Sequence, residues 1–251
     1  PKGLAGNLTG LSEWAAVQMG LTVKASANMG LKTVFAFPGS FAWPFLYPWP
    51  QRPQVLIKAA MQELGRRWIP VLDLAKDLGQ KVAFEVHPGE DIFDGRTFEM
   101  FLEAVGNHEA VGIAFDPSHF ILQGLDYLGF IDTYADRIFG AHWKDAELNC
   151  TASQGVYSGY ESWPNRAGRF RSLGDGQLKL DELEAAFKRN GLELWRVLEW
   201  EDVVKGRHQG AEEGAQVLQA IIDDDDVTPN FLEVRPHSDV FDNFAGVKFS
   251  K

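Results

Sequence analysis

Five short apolar runs recur along the chain: TVFAFPGS (33–40), KVAFEVHP (81–88), VGIAFDPSH (111–119), RIFGAHWKD (137–145) and LWRVLEWED (194–202). Longer stretches of helical period lie between them, at 54–78, 97–106, 121–135 and 179–190, and GAEEGAQVLQAII (210–222) follows the last run. Strand-length and helix-length patterns in strict alternation predict parallel βα units, because strands joined by helical crossovers run in one direction. No shift in composition marks a boundary. The reading is therefore one domain over 1–251, with its core at 33–222 and a C-terminal extension at 223–251.

Side chains on a strand alternate faces. Sorted that way, one face carries Ala83, Gly112, Ala114 and Gly140, and the other carries Val82, Phe84, Ile113, Phe115 and Phe139. The bulky face suits covering helices, and the small face suits a crowded interior such as the lumen of a closed parallel barrel. Every ionisable residue at the strand ends falls on the small face. These are Glu85 and His87, then Asp116, then His142 and Lys144, then Glu199 and Glu201. In (β/α)8 barrels the C-terminal strand ends form the open, chemically active face.

A lone strand-end acid is ordinarily a loop residue or a helix cap. Four consecutive units ending this way on one face are a different matter. Buried acids call for compensation, and carboxylates with an imidazole form a hard oxygen/nitrogen set suited to Mn²⁺, Mg²⁺, Co²⁺ or Zn²⁺.

Composition narrows the partners. A formal charge of −11 over 251 residues argues against nucleic acid and against anionic membrane surfaces. No stretch approaches the ~20 apolar residues needed to span a bilayer, and PKGLAGNLTG at the N-terminus has no signal-peptide pattern. With one cysteine, Cys150, an internal disulfide is impossible, and the expected compartment is the cytoplasm. No P-loop, GxGxxG or GxSxG is present, so nucleotide-dependent and serine-hydrolase chemistry lack support.

The series E-x-H-P, F-D-P-S-H, A-H-W-K-D, S-L-G-D-G and L-E-W-E, with WPFLYPWPQRP (43–53) and GRFRSLGDG (168–176), resembles the xylose isomerase-like TIM barrels, the sugar phosphate isomerase/epimerase family. The likeness runs from about residue 12 to 222. It implies a (β/α)8 TIM barrel whose last four strands hold one divalent ion, Mn²⁺ being the first expectation, through Glu85, Asp116, His142 and Glu199. The resemblance also exposes a departure. TVFAFPGS would be the fourth strand, and residues 1–32 contain only a loop and one helical stretch, so about five βα units are visible and the N-terminal strands are missing. The expectation is an incomplete barrel, either part of a longer protein or completed by another chain.

The activity implied is proton transfer beside the carbonyl of a sugar or sugar derivative, as in an isomerase or epimerase. Glu85 and Glu199 would serve both as ligands and as acid and base, His87 is an alternative base, and Lys144 would polarise the carbonyl unless it is a solvated loop lysine. His119 is a substrate hydrogen-bonding candidate or simply a helix-start histidine. Arg169 and Arg171 are candidate ligand contacts or solvent-facing arginines. Trp43, with Phe45, Tyr47 and Trp49, walls a sugar face or forms a rigid proline-rich loop. Glu201 shares a face with Glu199 and is assigned to the substrate. The same site in a lyase would cleave a 3-keto glycoside by β-elimination. A non-catalytic subunit with a degenerate barrel is a third reading. An endonuclease of the same superfamily would need more than six histidines and a basic groove. The expected partner is a small carbohydrate, and the family resemblance implies a homo-oligomer.

Overall fold

A computed structural model describes residues 3–47 and 52–223. Trp49 and the extension beyond 223 lie outside the described residues. Five strands form one sheet of order β1-β2-β3-β4-β7: β1 (Thr33–Ala36), β2 (Lys81–Glu85), β3 (Val111–Phe115), β4 (Ile138–Trp143) and β7 (Arg196–Leu198). The pairs β1–β2, β2–β3 and β4–β7 are parallel. Each expected run contains one of these strands. The described residues divide into two compact units, one drawn from residues up to 115 with 136–140, the other from 116–135 with 141–223.

In the first unit, α1 (Leu8–Asn28), α2 (Gln54–Asp77) and α3 (Gly95–Ala104) accompany β1 to β3. The α3 start is a reciprocal cap: Asp94 accepts from the Thr97 N–H, and the Thr97 hydroxyl accepts from the Asp94 N–H. The bulky face of β2 forms the core. Phe84 is fully buried and meets Trp68 at 4.7 Å and Phe101 at 5.1 Å, both edge to face.

The small face is small for a specific reason. A Cβ at Gly112 would lie 2.0 Å from Phe139, and a Cβ at Gly140 would lie 2.0 Å from Phe35. The two glycines are overlain by phenylalanine rings. Phe139 therefore lies on the small-residue face, not on the bulky face where alternation puts it. Strict alternation fails because Phe139 and its neighbour Gly140 are both turned that way.

In the second unit, α4 (Pro117–Gln123) begins at once after Asp116, and α5 (Tyr127–Tyr134) follows. The expected 121–135 helix is thus two helices. Gly124 ends the first in the left-handed region, φ 69°, and Asp126 caps the second by accepting from the Gly129 N–H. The expected loop at 145–176 contains an antiparallel pair, β5 (Asp145–Leu148) and β6 (Gly168–Arg171). Then come α6 (Leu180–Arg189) and α7 (Arg207–Ile222). Trp143 on β4 packs edge to face against Phe187 of α6 at 5.9 Å, and both are buried. Gly210 in α7 is required by close approach, since a Cβ there would lie 2.1 Å from the Trp200 indole nitrogen.

Candidate metal centre

Asp116 directly follows β3 and caps α4. Its Oδ1 accepts from the Ser118 backbone N–H at 2.9 Å and from the Ser118 hydroxyl at 2.7 Å. That fixes the carboxylate and turns Oδ2 toward His119 Nε2 at 3.4 Å and Lys144 Nζ at 3.7 Å. Asp116 is fully buried and His119 nearly so. The same aspartate therefore caps a helix and faces the cluster.

His142 and Lys144 leave β4 on one face, two residues apart. They meet Glu199, just past β7. His142 Nδ1 lies 2.8 Å from Glu199 Oε2, and Lys144 Nζ lies 3.0 Å from Glu199 Oε1. Lys144 also reaches Glu201 Oε2 at 3.0 Å. It is 2% exposed, which excludes the solvated-loop reading. Burial alone would lower its pKa, but Asp116, Glu199 and Glu201 outweigh that and raise it above the ordinary lysine value. The His142 contact, and then the Lys144 charge, hold the Glu199 carboxyl down at about 2.

Glu85 is the last residue of β2 and is buried. Within the second unit, Asp116, His142 and Glu199 each offer one ligand atom, and these atoms lie within 4.8 Å of one another. Two carboxylates and an imidazole, with no thiolate, fit a divalent ion of hard or borderline character. Of the adjacent acids Glu199 and Glu201, Glu199 belongs to this set.

The other expected site residues are placed as follows. His87 packs edge to face on Phe37 at 5.2 Å and is not in the ligand set. The Trp43 ring packs against Phe93 at 5.2 Å, and the Trp43 backbone N–H donates to Asp91. Arg171 is buried, with Nη1 3.0 Å from Glu147 and Nε 3.6 Å from Asp202. Arg169 pairs with Glu147 as well. Opposing these arginines, burial raises the Glu147 pKa, but their charge prevails and the net shift is downward.

Sequence reasoning missed three buried carboxylates that hold loops. Asp91 accepts from the N–H groups of Phe41, Ala42 and Trp43. Asp145 accepts from Ala146, Gly174, Gly176 and Leu178. Asp202 accepts from the Ser172 N–H and hydroxyl and from the Val204 N–H. The signal was indirect: a turn such as SLGDG exposes backbone donors that need acceptors once buried. Phe170 was missed too. Its ring lies 4.2 Å beneath Lys144 Nζ and 5.3 Å from the His119 ring.

A family model described as the xylose isomerase-like TIM barrel matches residues 3–221. The chain belongs to the xylose isomerase-like TIM-barrel family. Within it, an inosose dehydratase of Lactiplantibacillus plantarum is 28% identical over 133 residues, 51% of this chain and 43% of that protein. The chain thus spans less than half the length of this curated relative. Among solved structures, 3-keto-D-glucoside 4-epimerase from E. coli aligns with TM-score 0.59 at 15% identity, over 82% of this chain and 70% of the other. The IOLI protein, whose structure holds a zinc atom, aligns with TM-score 0.54 at 21% identity, over 87% of this chain and 70% of the other. The five-stranded parallel sheet with its helices is consistent with an incomplete barrel of this fold. Among the described residues, no helix is long and apolar enough to cross a membrane.

Proposed function

We propose that this protein is a divalent-metal-dependent enzyme that removes a proton from the carbon beside the carbonyl of a cyclic keto-polyol and expels the oxygen on the next carbon. It is thus a dehydratase-type lyase. The observation that carries the reading is a buried ammonium, Lys144, set among Asp116, Glu199 and Glu201 next to the ligand atoms of Asp116, His142 and Glu199. Glu85, Asp116, His142 and Glu199 would hold the ion, which would supply Lewis acidity toward the substrate's oxygens. A zinc-containing structural neighbour supports a metal of this kind.

The residues divide the work by their surroundings. Lys144, held cationic by three carboxylates, is a poor proton donor and a good stabiliser of negative charge. Its role is to offset the charge that develops on the enolate oxygen. Glu201 stands outside the ligand set, is about half exposed and touches Lys144, so it is the carboxylate suited to carry protons. When a carboxylate takes the α-proton, the C–H electrons form the C=C bond and the β C–O bond breaks. The departing hydroxyl takes a proton and leaves as water. His119, buried beside Asp116, is assigned to a substrate hydroxyl. Elimination is preferred to epimerisation because the curated relative matched is a dehydratase. Return of the proton to the opposite face would give an epimerase, a second reading favoured by the E. coli neighbour.

The test is metal content by mass spectrometry, with and without Glu199→Gln, followed by incubation with an inosose and with a 3-keto glucoside. The expected result is a single divalent ion per chain that is lost in the variant, and an ultraviolet-absorbing enone from the inosose. A chain that takes up no metal when it is offered refutes the reading. Epimerised sugar without enone selects the second one.

A further inference from the structure

We propose that the outer face of α1 is a docking surface for a second copy of this chain, whose own α1 lies antiparallel across it. The surface belongs to the first unit alone and is independent of the catalytic reading. α1 is apolar on two sides. On one side Val23 and Ser26 are buried, and the Ser26 hydroxyl donates to Gln80 at 2.7 Å. On the other, Trp14, Val17 and Leu21 are 45%, 60% and 55% exposed. Their i, i+3, i+7 spacing puts them in one line on the helix surface, and Ala25, also exposed, continues it by a turn. A single exposed apolar side chain is ordinary, but a line of them on one helix is a patch that asks for a cover.

The charges decide what covers it. Along its 21 residues α1 has one acid, Glu13, and one base, Lys24, both exposed. They stand eleven residues apart, which is three turns, so both project from the side of the stripe and bracket it over ~16 Å. Neither makes an ion pair among the described residues. Elsewhere in the same unit Glu63 pairs with Arg66, Lys76 with Glu109 and Arg96 with Glu99. A parallel copy would set Glu13 against Glu13 and Lys24 against Lys24. An antiparallel copy sets Glu13 of each chain beside Lys24 of the other and brings Val17 and Leu21 of both to the crossing. Each Trp14 ring would then cover Leu21 and the Lys24 stem of the second copy. The face is complementary to itself, as a two-fold interface requires. One helix pair buries less than a standard interface, so the dimer is weak, with a dissociation constant on the order of 10 μM.

The test is sedimentation velocity of the full chain over a concentration series from about 1 to about 200 μM, which brackets that constant. Wild type should pass from monomer to dimer across the series. Trp14→Ala should weaken the dimer at least tenfold, as the loss of a central aromatic does. Glu13→Lys and Lys24→Glu should each weaken it about tenfold, since each removes two ion pairs and adds like-charge contacts. An equimolar mixture of these two variants should associate again, and so should the double variant Glu13→Lys/Lys24→Glu. All three charge changes are at exposed positions, and unchanged circular dichroism confirms that folding is intact. A wild type that stays monomeric to the top of the series would overturn the proposal, and the face would then belong to some other cover. A dimer indifferent to Trp14→Ala, or charge variants that do not rescue one another, would overturn it equally.

Discussion

Asp145 is the residue whose replacement tests most directly how the loop past β5 is built. It is fully buried, and its two oxygens take four backbone N–H groups: Oδ1 those of Ala146 at 2.8 Å and Leu178 at 3.0 Å, Oδ2 those of Gly174 at 3.1 Å and Gly176 at 3.0 Å. Asp145→Asn preserves volume but leaves one acceptor oxygen, so the amide NH₂ must face two N–H donors. Two hydrogen bonds to a charged acceptor are lost, each worth ~1.5–3 kcal/mol; part of that is returned by relaxation of the loop and by relief of the burial that pushes the Asp145 carboxyl up to about 6. The net cost is about 3–4 kcal/mol at pH 7. For a chain of this size that is a fall of roughly 6–16 °C in melting temperature, since 1 kcal/mol corresponds to about 2–4 °C. Differential scanning calorimetry of wild type and variant, both metal-free, reads the difference. A fall below 2 °C would mean that water or another acceptor serves these N–H groups, and the claim that one carboxylate holds the turn would fail.

Three further outcomes follow, two from the charges and one from close packing. Lys144→Met leaves Asp116, Glu199 and Glu201 without their cation. The metal-free protein should lose about 2 kcal/mol, a figure held down by the solvent exposure of the two glutamates. Added Mn²⁺ should then raise the melting temperature more in this variant than in wild type, and an equal rise would refute the compensation argument. Glu199 titrates at about 2 in the folded chain against an ordinary 4.5. Its contribution to stability is therefore complete above pH 4.5 and lost as pH falls through 2. Denaturation across that window should show the gap between wild type and Glu199→Gln closing toward acid, and a constant gap would contradict the assignment. Gly112→Ala places a methyl 2.0 Å from Phe139 and should cost ~1–3 kcal/mol, with partial recovery in the Gly112→Ala/Phe139→Ala double variant. No recovery would mean that the backbone oxygen of Arg137, not the ring, is the obstacle.

The legible part of the sequence was what period and alternation encode. The strand in each of the five runs was visible because parallel strands are apolar on both faces and end abruptly in polar residues, as Phe84-Glu85 and Phe115-Asp116 do. The same alternation put Asp116, His142 and Glu199 on one face, and in the second unit their ligand atoms lie within 4.8 Å of one another. It failed at Phe139, because a ring needs an empty position opposite it and the glycine that provides one is on a different strand. The β5–β6 pair was hidden for a related reason. DAEL and GRFR carry charges at alternate positions, which reads as loop until Glu147 is set across from Arg169.

The loop carboxylates were illegible for a deeper reason, and it bears on the site. Asp91, Asp145 and Asp202 answer backbone donors, and a backbone N–H has no letter in the sequence. Asp116 does this work and the other at once, one oxygen on the α4 N-terminus and one toward Lys144. A carboxylate bound on one side by a helix cap has no rotational freedom left, so its second oxygen is aimed before any ion arrives. Pre-aiming removes an ordering cost from metal binding. Ser118→Ala removes the hydroxyl donor, though not the N–H, and should weaken metal affinity severalfold without touching any of the four ligands. Chelator competition on the two proteins measures it. Unchanged affinity would mean that the ion, not the helix, orients Asp116.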